Sequence, residues 1–278
     1  MPHTLFLRRL LPLLLSLATA LASAADLSPA QPLSIGDTLT LESKALGETR
    51  RINVYAPPAW GEAPGAARPV LLMPDGGLAE DFLHIAGLLQ VGVANGTLRP
   101  LLLVGIENTE RRRDLTGPTT QASDRKIAPR VGGSAAFRAF IRDELLPALA
   151  RRYRVTDERA LMGESLAGLF VVETWALEPG LFGTYIAFDP SLWWNAAGLQ
   201  PLTQTALRER HGAAPRLYMA TSSEPLIRQA ALPFAEMLGR ELAPGSPFQH
   251  VAMPQETHAT IYHPAALQAL RQLFKPAP

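Results

Sequence analysis

The chain contains no cysteine. That removes a disulfide framework, a thiolate nucleophile, and any zinc or iron–sulfur site built on sulfur. It also lacks an excess of charge of either sign, with 26 Lys and Arg against 25 Asp and Glu. No global field would steer it onto nucleic acid or an anionic membrane, so no nucleic-acid partner is expected and charge recognition must be local. Charged residues make up only 18% of the 278 positions and hydrophobic ones 47%, which excludes a solvated linker or acidic tail. There is no internal repeat. No Gly-rich loop suits a nucleotide and no cluster has metal-ligand spacing, so no cofactor and no bound metal are expected.

What is present begins with Arg8 and Arg9, an apolar run from Leu10 to Leu21, and Ala22-Ser23-Ala24. This is the order of a secretory signal peptide. The run is 12 residues long, short of the roughly 20 needed to span a bilayer, which argues against an anchor. The expected division is a signal peptide over 1–24 and a single catalytic domain over 25–278. Losing two arginines and no acid takes the formal charge from +1 to −1. No later stretch is apolar enough to cross a membrane, so no integral membrane segment is expected after signal removal. An exported chain without cysteine suits a periplasmic or secreted location.

Short apolar runs alternate with longer amphipathic stretches, the pattern of an α/β fold with a mostly parallel central sheet flanked by helices. Strands are expected at 38–41, 51–55, 69–73, 101–106, 159–162, 184–188, 216–220 and 248–253. Apolar residues at helical spacing predict helices over 135–153, 169–177 and 265–274. Residues 107–133 form the longest irregular polar segment, and loops of that length in compact domains are usually functional or mobile.

Gly163-Glu164-Ser165-Leu166-Ala167-Gly168 lies between a short strand and a helix, the context of a nucleophile elbow; the same letters also suit a helix capped by serine. In an elbow, the tight turn lifts the Ser165 hydroxyl above the sheet edge. The Leu166 N–H then faces the developing oxyanion, with a second N–H from Gly76 or Gly77 in the turn Asp75-Gly76-Gly77. That glycine pair is otherwise an ordinary turn after a strand. A neutral serine needs a base, and His258 follows a late strand; Glu224 follows the strand before it and is the candidate orienting acid, or else a solvated helix-start carboxylate. The order Ser165, Glu224, His258 is that of α/β-hydrolase triads.

Several motifs together resemble the esterase-D-like branch of the α/β hydrolases, and within it the bacterial siderophore esterases that open enterobactin-type trilactones. They are Leu72-Met-Pro-Asp-Gly-Gly77, Val104-Gly-Ile-Glu-Asn-Thr109, Arg113-Asp-Leu-Thr116, Gly132-Gly133, the elbow, Pro190-Ser-Leu-Trp-Trp-Asn195 and Glu256-Thr-His258. The resemblance covers nearly all of the chain after the leader. Two positions depart from it: Glu164, where the family commonly has His, and Ala167, where it commonly has Gly. A carboxylate beside the nucleophile would raise the proton affinity of His258 or repel an anionic substrate.

The resemblance implies a serine esterase of the cell envelope acting on a small-molecule ester, a ferric catecholate siderophore among the candidates, with any iron belonging to the substrate. Trp193 and Trp194 would wall an aromatic pocket, unless one of them is core filling. Arg113 and Arg130, with Arg111 and Arg112, would hold catecholate oxygens, or else form a solvated face. The alternatives are a general small-ester esterase and a catalytically weakened hydrolase-fold siderophore-binding protein.

Overall fold

The structure is a computed structural model that describes residues 27–276 except Trp60, Pro64 and His211. The segment read as a signal peptide lies outside the described residues. Residues 27–34 carry no regular structure, and the chain from Ile35 onward forms one compact unit.

That unit is built on an eight-stranded sheet of order β1-β2-β4-β3-β5-β6-β7-β8. Its strands are β1 (Asp37–Ser43), β2 (Glu48–Tyr55), β3 (Arg68–Met73), β4 (Leu102–Ile106), β5 (Val155–Glu164), β6 (Thr184–Phe188), β7 (Arg216–Thr221) and β8 (Phe248–Ala252). β1 and β2 are antiparallel additions at one edge, while β4 through β8 run parallel. The helices are α1 (Phe82–Ala94), α2 (Arg111–Asp114), α3 (Ala122–Ile127), α4 (Ser134–Phe140), α5 (Leu146–Arg152), α6 (Leu166–Leu177), α7 (Trp194–Ala197), α8 (Leu199–Glu209), α9 (Pro225–Glu241) and α10 (Tyr262–Leu273).

The central strands are apolar on both faces because helices cover both. Alternate residues therefore feed two separate cores. Val70, Leu72, Leu161, Tyr185 and Ala187 pack with residues of α4, α5, α6 and α9. Leu71, Met73, Met162, Ile186 and Phe188 pack with those of α1 and α10. Helix α6 is buried along almost its whole length, as expected for an element apolar on every side.

The single helix expected over 135–153 is α4 and α5 joined by a π-helical turn, Ile141–Leu145. Pro147 follows that turn in the first positions of α5. Its ring lacks an N–H and crowds the carbonyl four residues back, and a widened turn relieves both.

Parallel strands all point one way, so the loops after β3, β4, β5, β6, β7 and β8 gather along one edge. Open α/β sheets bind their ligands at such an edge.

Candidate active site

The turn after β5 brings Ser165 to that edge with φ 60° and ψ −118°. A non-glycine residue in this region is strained, and the surroundings must hold it there. Ser165 N–H donates to Phe188 O at 3.0 Å, while its own carbonyl accepts from Leu169 N–H at 2.9 Å and Ser191 N–H at 3.0 Å. A Cβ on Gly163 would lie 2.7 Å from the Ala167 carbonyl carbon and Cβ. The close approach of α6 to β5 thus depends on Gly163, and Ala167 fits fully buried.

His258 arrives on the loop after β8. That loop is stitched to the end of β7 by Met253 N–H on Thr221 O at 2.8 Å and by Ser223 N–H on Glu256 O at 2.9 Å. The His258 Nε2 lies 3.1 Å from Ser165 Oγ, and its Nδ1 lies 3.0 Å from Asp189 Oδ2. With the Nδ1 proton donated to the carboxylate, Nε2 is the acceptor for the serine hydroxyl.

Asp189, not Glu224, is therefore the acid on the imidazole. It directly follows β6, has φ 40°, and is fully buried. Ser222 fixes it from the end of β7, its N–H donating to Oδ1 and its hydroxyl to Oδ2, both at 2.6 Å. Glu224 instead caps the start of α9, where its N–H donates to Ser222 Oγ at 3.1 Å and its carbonyl accepts from Arg228 N–H. It reaches His258 only as a more distant negative charge.

The expected oxyanion donors divide. Leu166 opens α6, so its N–H is one of the amides that a helix start leaves without an intrahelical partner. Gly76 N–H is taken by Ile106 O at 2.9 Å, because the chain after β3 keeps pairing with β4. A Cβ on Gly76 would meet Gly105 Cα at 2.2 Å, which explains the glycine in each motif. Gly77 N–H is capped by Glu80 Oε2 at 2.6 Å. Neither glycine amide is free.

The expected substrate residues are largely engaged inside the protein. Arg113 is held by Glu48 at 2.7 Å and Asp114 at 2.6 Å, and Arg130 pairs with Glu110. Arg111 grips Asp75 with two bonds, at 2.7 and 2.8 Å. Trp194 is buried in the core and its indole N–H donates to Gly117 O at 2.9 Å, whereas Trp193 is half-buried against the same cluster. Trp194 is thus core filling, and Trp193 alone keeps exposed surface.

Two features had no counterpart in the sequence reading. Ser191 Oγ sits 3.4 Å from Ser165 Oγ. Asn195, Ala196 and Ala197 take φ values of 52°, 51° and 58°, a left-handed turn four residues beyond Ser191. It is tied to the 107–133 segment by Thr120 N–H on Asn195 Oδ1 at 2.9 Å and Asn195 N–H on Asp124 Oδ2 at 2.9 Å.

Charge at the site is set by burial and neighbours. The hydrogen bond to Asp189 and the nearby Glu164 carboxylate raise the His258 imidazole above its ordinary value, against an opposing effect of burial. Burial pushes the Glu164 carboxyl up to about 7. Burial and Asp75 push Asp81 up to about 6. Among the described residues no group of three His, Asp or Glu side chains is placed to hold a metal, and no helix is long and apolar enough to cross a membrane.

A family model described as Putative esterase matches residues 43–227. Ferri-bacillibactin esterase BesA of Bacillus subtilis is 38% identical over 109 residues, which cover 34% of this chain and 38% of that protein. The siderophore enterobactin esterase of Emericella nidulans is 35% identical over 100 residues, covering 35% and 31%. The matched stretches thus span less than two fifths of either relative. The solved structure of an IroE-like serine hydrolase from Shewanella oneidensis superposes with a TM-score of 0.77 at 29% identity, over 86% of this chain and 80% of that one. The architecture is the α/β-hydrolase fold.

Proposed function

The chain belongs to the Putative esterase family, and from that premise we propose that it is a serine carboxylic-ester hydrolase of the cell envelope that cleaves a siderophore ester. The observation that carries this reading is the unbroken line from Ser165 Oγ to His258 Nε2 at 3.1 Å and from His258 Nδ1 to Asp189 Oδ2 at 3.0 Å. Nucleophile, base and orienting acid are each within hydrogen-bond reach.

In this mechanism Ser165 Oγ attacks the ester carbonyl carbon as Nε2 takes the hydroxyl proton. Asp189 holds the imidazole in the tautomer that can accept it and stabilises the imidazolium that results. The tetrahedral oxyanion meets the Leu166 N–H at the positive end of α6. Collapse expels the alcohol, which receives the proton from His258. Water then attacks the acyl-serine with His258 again as base, releasing the acid and restoring the hydroxyl.

The names of the two relatives support a siderophore as substrate. A groove of about 320 Å³ beside α2, lined by Glu110, Arg111, Arg112, Arg113, Pro129 and Arg130, supports a catecholate as the finer reading. Arg111, Arg113 and Arg130 are paired with carboxylates, so an anionic ring system would have to compete with Asp75, Glu48 and Glu110 for them, while Arg112 bonds the Ile127 carbonyl. The alternative of a weakened binding protein rested on Ala167 and Glu164; Ala167 fits the elbow without displacing Ser165 from His258.

Product analysis tests the reading, with a catechol trilactone in ferric and metal-free forms and a short-chain aryl ester as substrates. Release of the linear hydroxy-acid from the trilactone, abolished in Ser165→Ala, is expected. Hydrolysis of the aryl ester alone would make the protein a general esterase. Trilactone binding without any turnover would make it a binding protein.

A further inference from the structure

We propose that Glu164 is a positioning residue for His258, its carboxylate acting with that of Asp189 to keep a proton on Nδ1 and to stabilise the imidazolium formed during ester cleavage. The proposal rests on the serine-esterase reading above and names a second acid within the same site.

Glu164 is the last residue of β5, immediately before the nucleophile. Its Oε1 lies 3.3 Å from His258 Nδ1, while Asp189 Oδ2 lies 3.0 Å from the same nitrogen. The ring has one proton there to give, and Asp189 takes it as a hydrogen bond. Glu164 therefore acts through charge, from a side chain only 16% exposed where water screens little.

Few groups nearby neutralise that charge. Arg111 of α2 is the cation that faces Glu164, and it shares its charge with Asp75, which its Nε and Nη2 bond. Asp75 after β3 and Asp189 after β6 add negative charge. Tyr262 of α10 is also near; burial, with Asp81, Asp75 and Glu164, holds its phenol neutral. Glu224 adds a weaker negative charge to His258.

The sign follows from these contacts. Above about pH 7 Glu164 is anionic and tightens the hold of His258 on its proton; below that value it is neutral and the support is withdrawn. The acid limb of the pH–rate profile is then a joint titration of the pair.

The test measures kcat/KM against pH on a short-chain aryl ester for wild type, Glu164→Gln, Asp189→Asn and the double variant. Removing the Glu164 charge should move the acid limb to lower pH by about one unit, and lower the rate at pH 8 because the base is weaker. Asp189→Asn should lose about a hundredfold instead of the roughly ten-thousandfold expected where no second acid exists, and the double variant should lose the remainder. A purely structural role would depress the rate equally at every pH.

An acid limb that stays in place in Glu164→Gln, or equal rates for Asp189→Asn and the double variant, would overturn the proposal. A measurement on wild type covers the case in which a variant does not fold. The low-field Nδ1–H proton resonance should titrate in two steps, and a single step counts against the coupling. If wild type hydrolyses no ester, the esterase reading fails, while the resonance still reports whether Glu164 and His258 are coupled.

Discussion

Ser165 occupies a backbone conformation that only its neighbours make tenable, and Gly163 is the residue that makes room for it. In Gly163→Ala the new methyl would press on the backbone of Ala167, so the elbow must open and carry the hydroxyl away from Nε2. A shift of about 1 Å would lower kcat by about a hundredfold, measurable on an aryl ester. Ala167→Gly, by contrast, should be no faster than wild type, because the existing methyl is already accommodated. At this scale the sequence disclosed the serine and the histidine that the structure brings together, but not the carboxylate that meets the ring. Asp189 and Glu224 both follow strands, both lie between Ser165 and His258, and chain order cannot choose between them. The discriminating signal was local: aspartate tolerates positive φ better than most residues, and Pro190 after it marks a fixed turn. Gly76 and Gly77 were misjudged because an N–H in a glycine turn is also available to a neighbouring strand or to a carboxylate three residues on.

Among elements, the 107–133 segment is held to the sheet by a buried clasp. Arg50 of β2, with no exposed side-chain surface, bonds Asp114 of α2 at 2.6 Å and Glu48 at 2.8 Å. Asp114→Ala would leave the buried Arg50 guanidinium with Glu48 as its remaining carboxylate and should lower stability by about 3 kcal/mol, seen as a lower urea midpoint. The left-handed turn of α7 carries the opposite prediction. Ala196 is exposed and at φ 51°, so Ala196→Gly relieves strain of about 1 kcal/mol and should leave the urea midpoint unchanged or raised, where Ala→Gly ordinarily lowers it. All eight strands were legible in the sequence, since short β-branched and apolar runs bounded by turn residues have few other uses. Segment 107–133 was not. Its order comes from Arg50, Asp124, Asn195 and Trp194, whose partners lie 64 to 77 positions away in the chain, and no local pattern records such pairings. Arg111 and Arg113 looked available for a ligand for the same reason: Asp75 and Glu48, which hold them, are close in space but far off in the chain.

For the whole molecule, the parallel sheet gathers Ser165, Asp189, Ser222 and His258 from the ends of four successive strands to one edge, so the site exists only when β5 to β8 are in register. The expectation of a signal peptide over 1–24 belongs to this scale too. Expressed in a bacterium, the full chain should be recovered outside the cytoplasm with Ala25 as its first residue by N-terminal sequencing; an uncleaved cytoplasmic protein would contradict the export reading. The central claim, that Ser165 is a nucleophile activated by His258 and Asp189, is tested most directly by treating the folded protein with a fluorophosphonate and mapping the adduct by peptide mass spectrometry. The account predicts one phosphonylated residue, Ser165, with labelling lost in Ser165→Ala and strongly slowed in His258→Ala. A folded protein left unmodified, or modified at another serine, would contradict it.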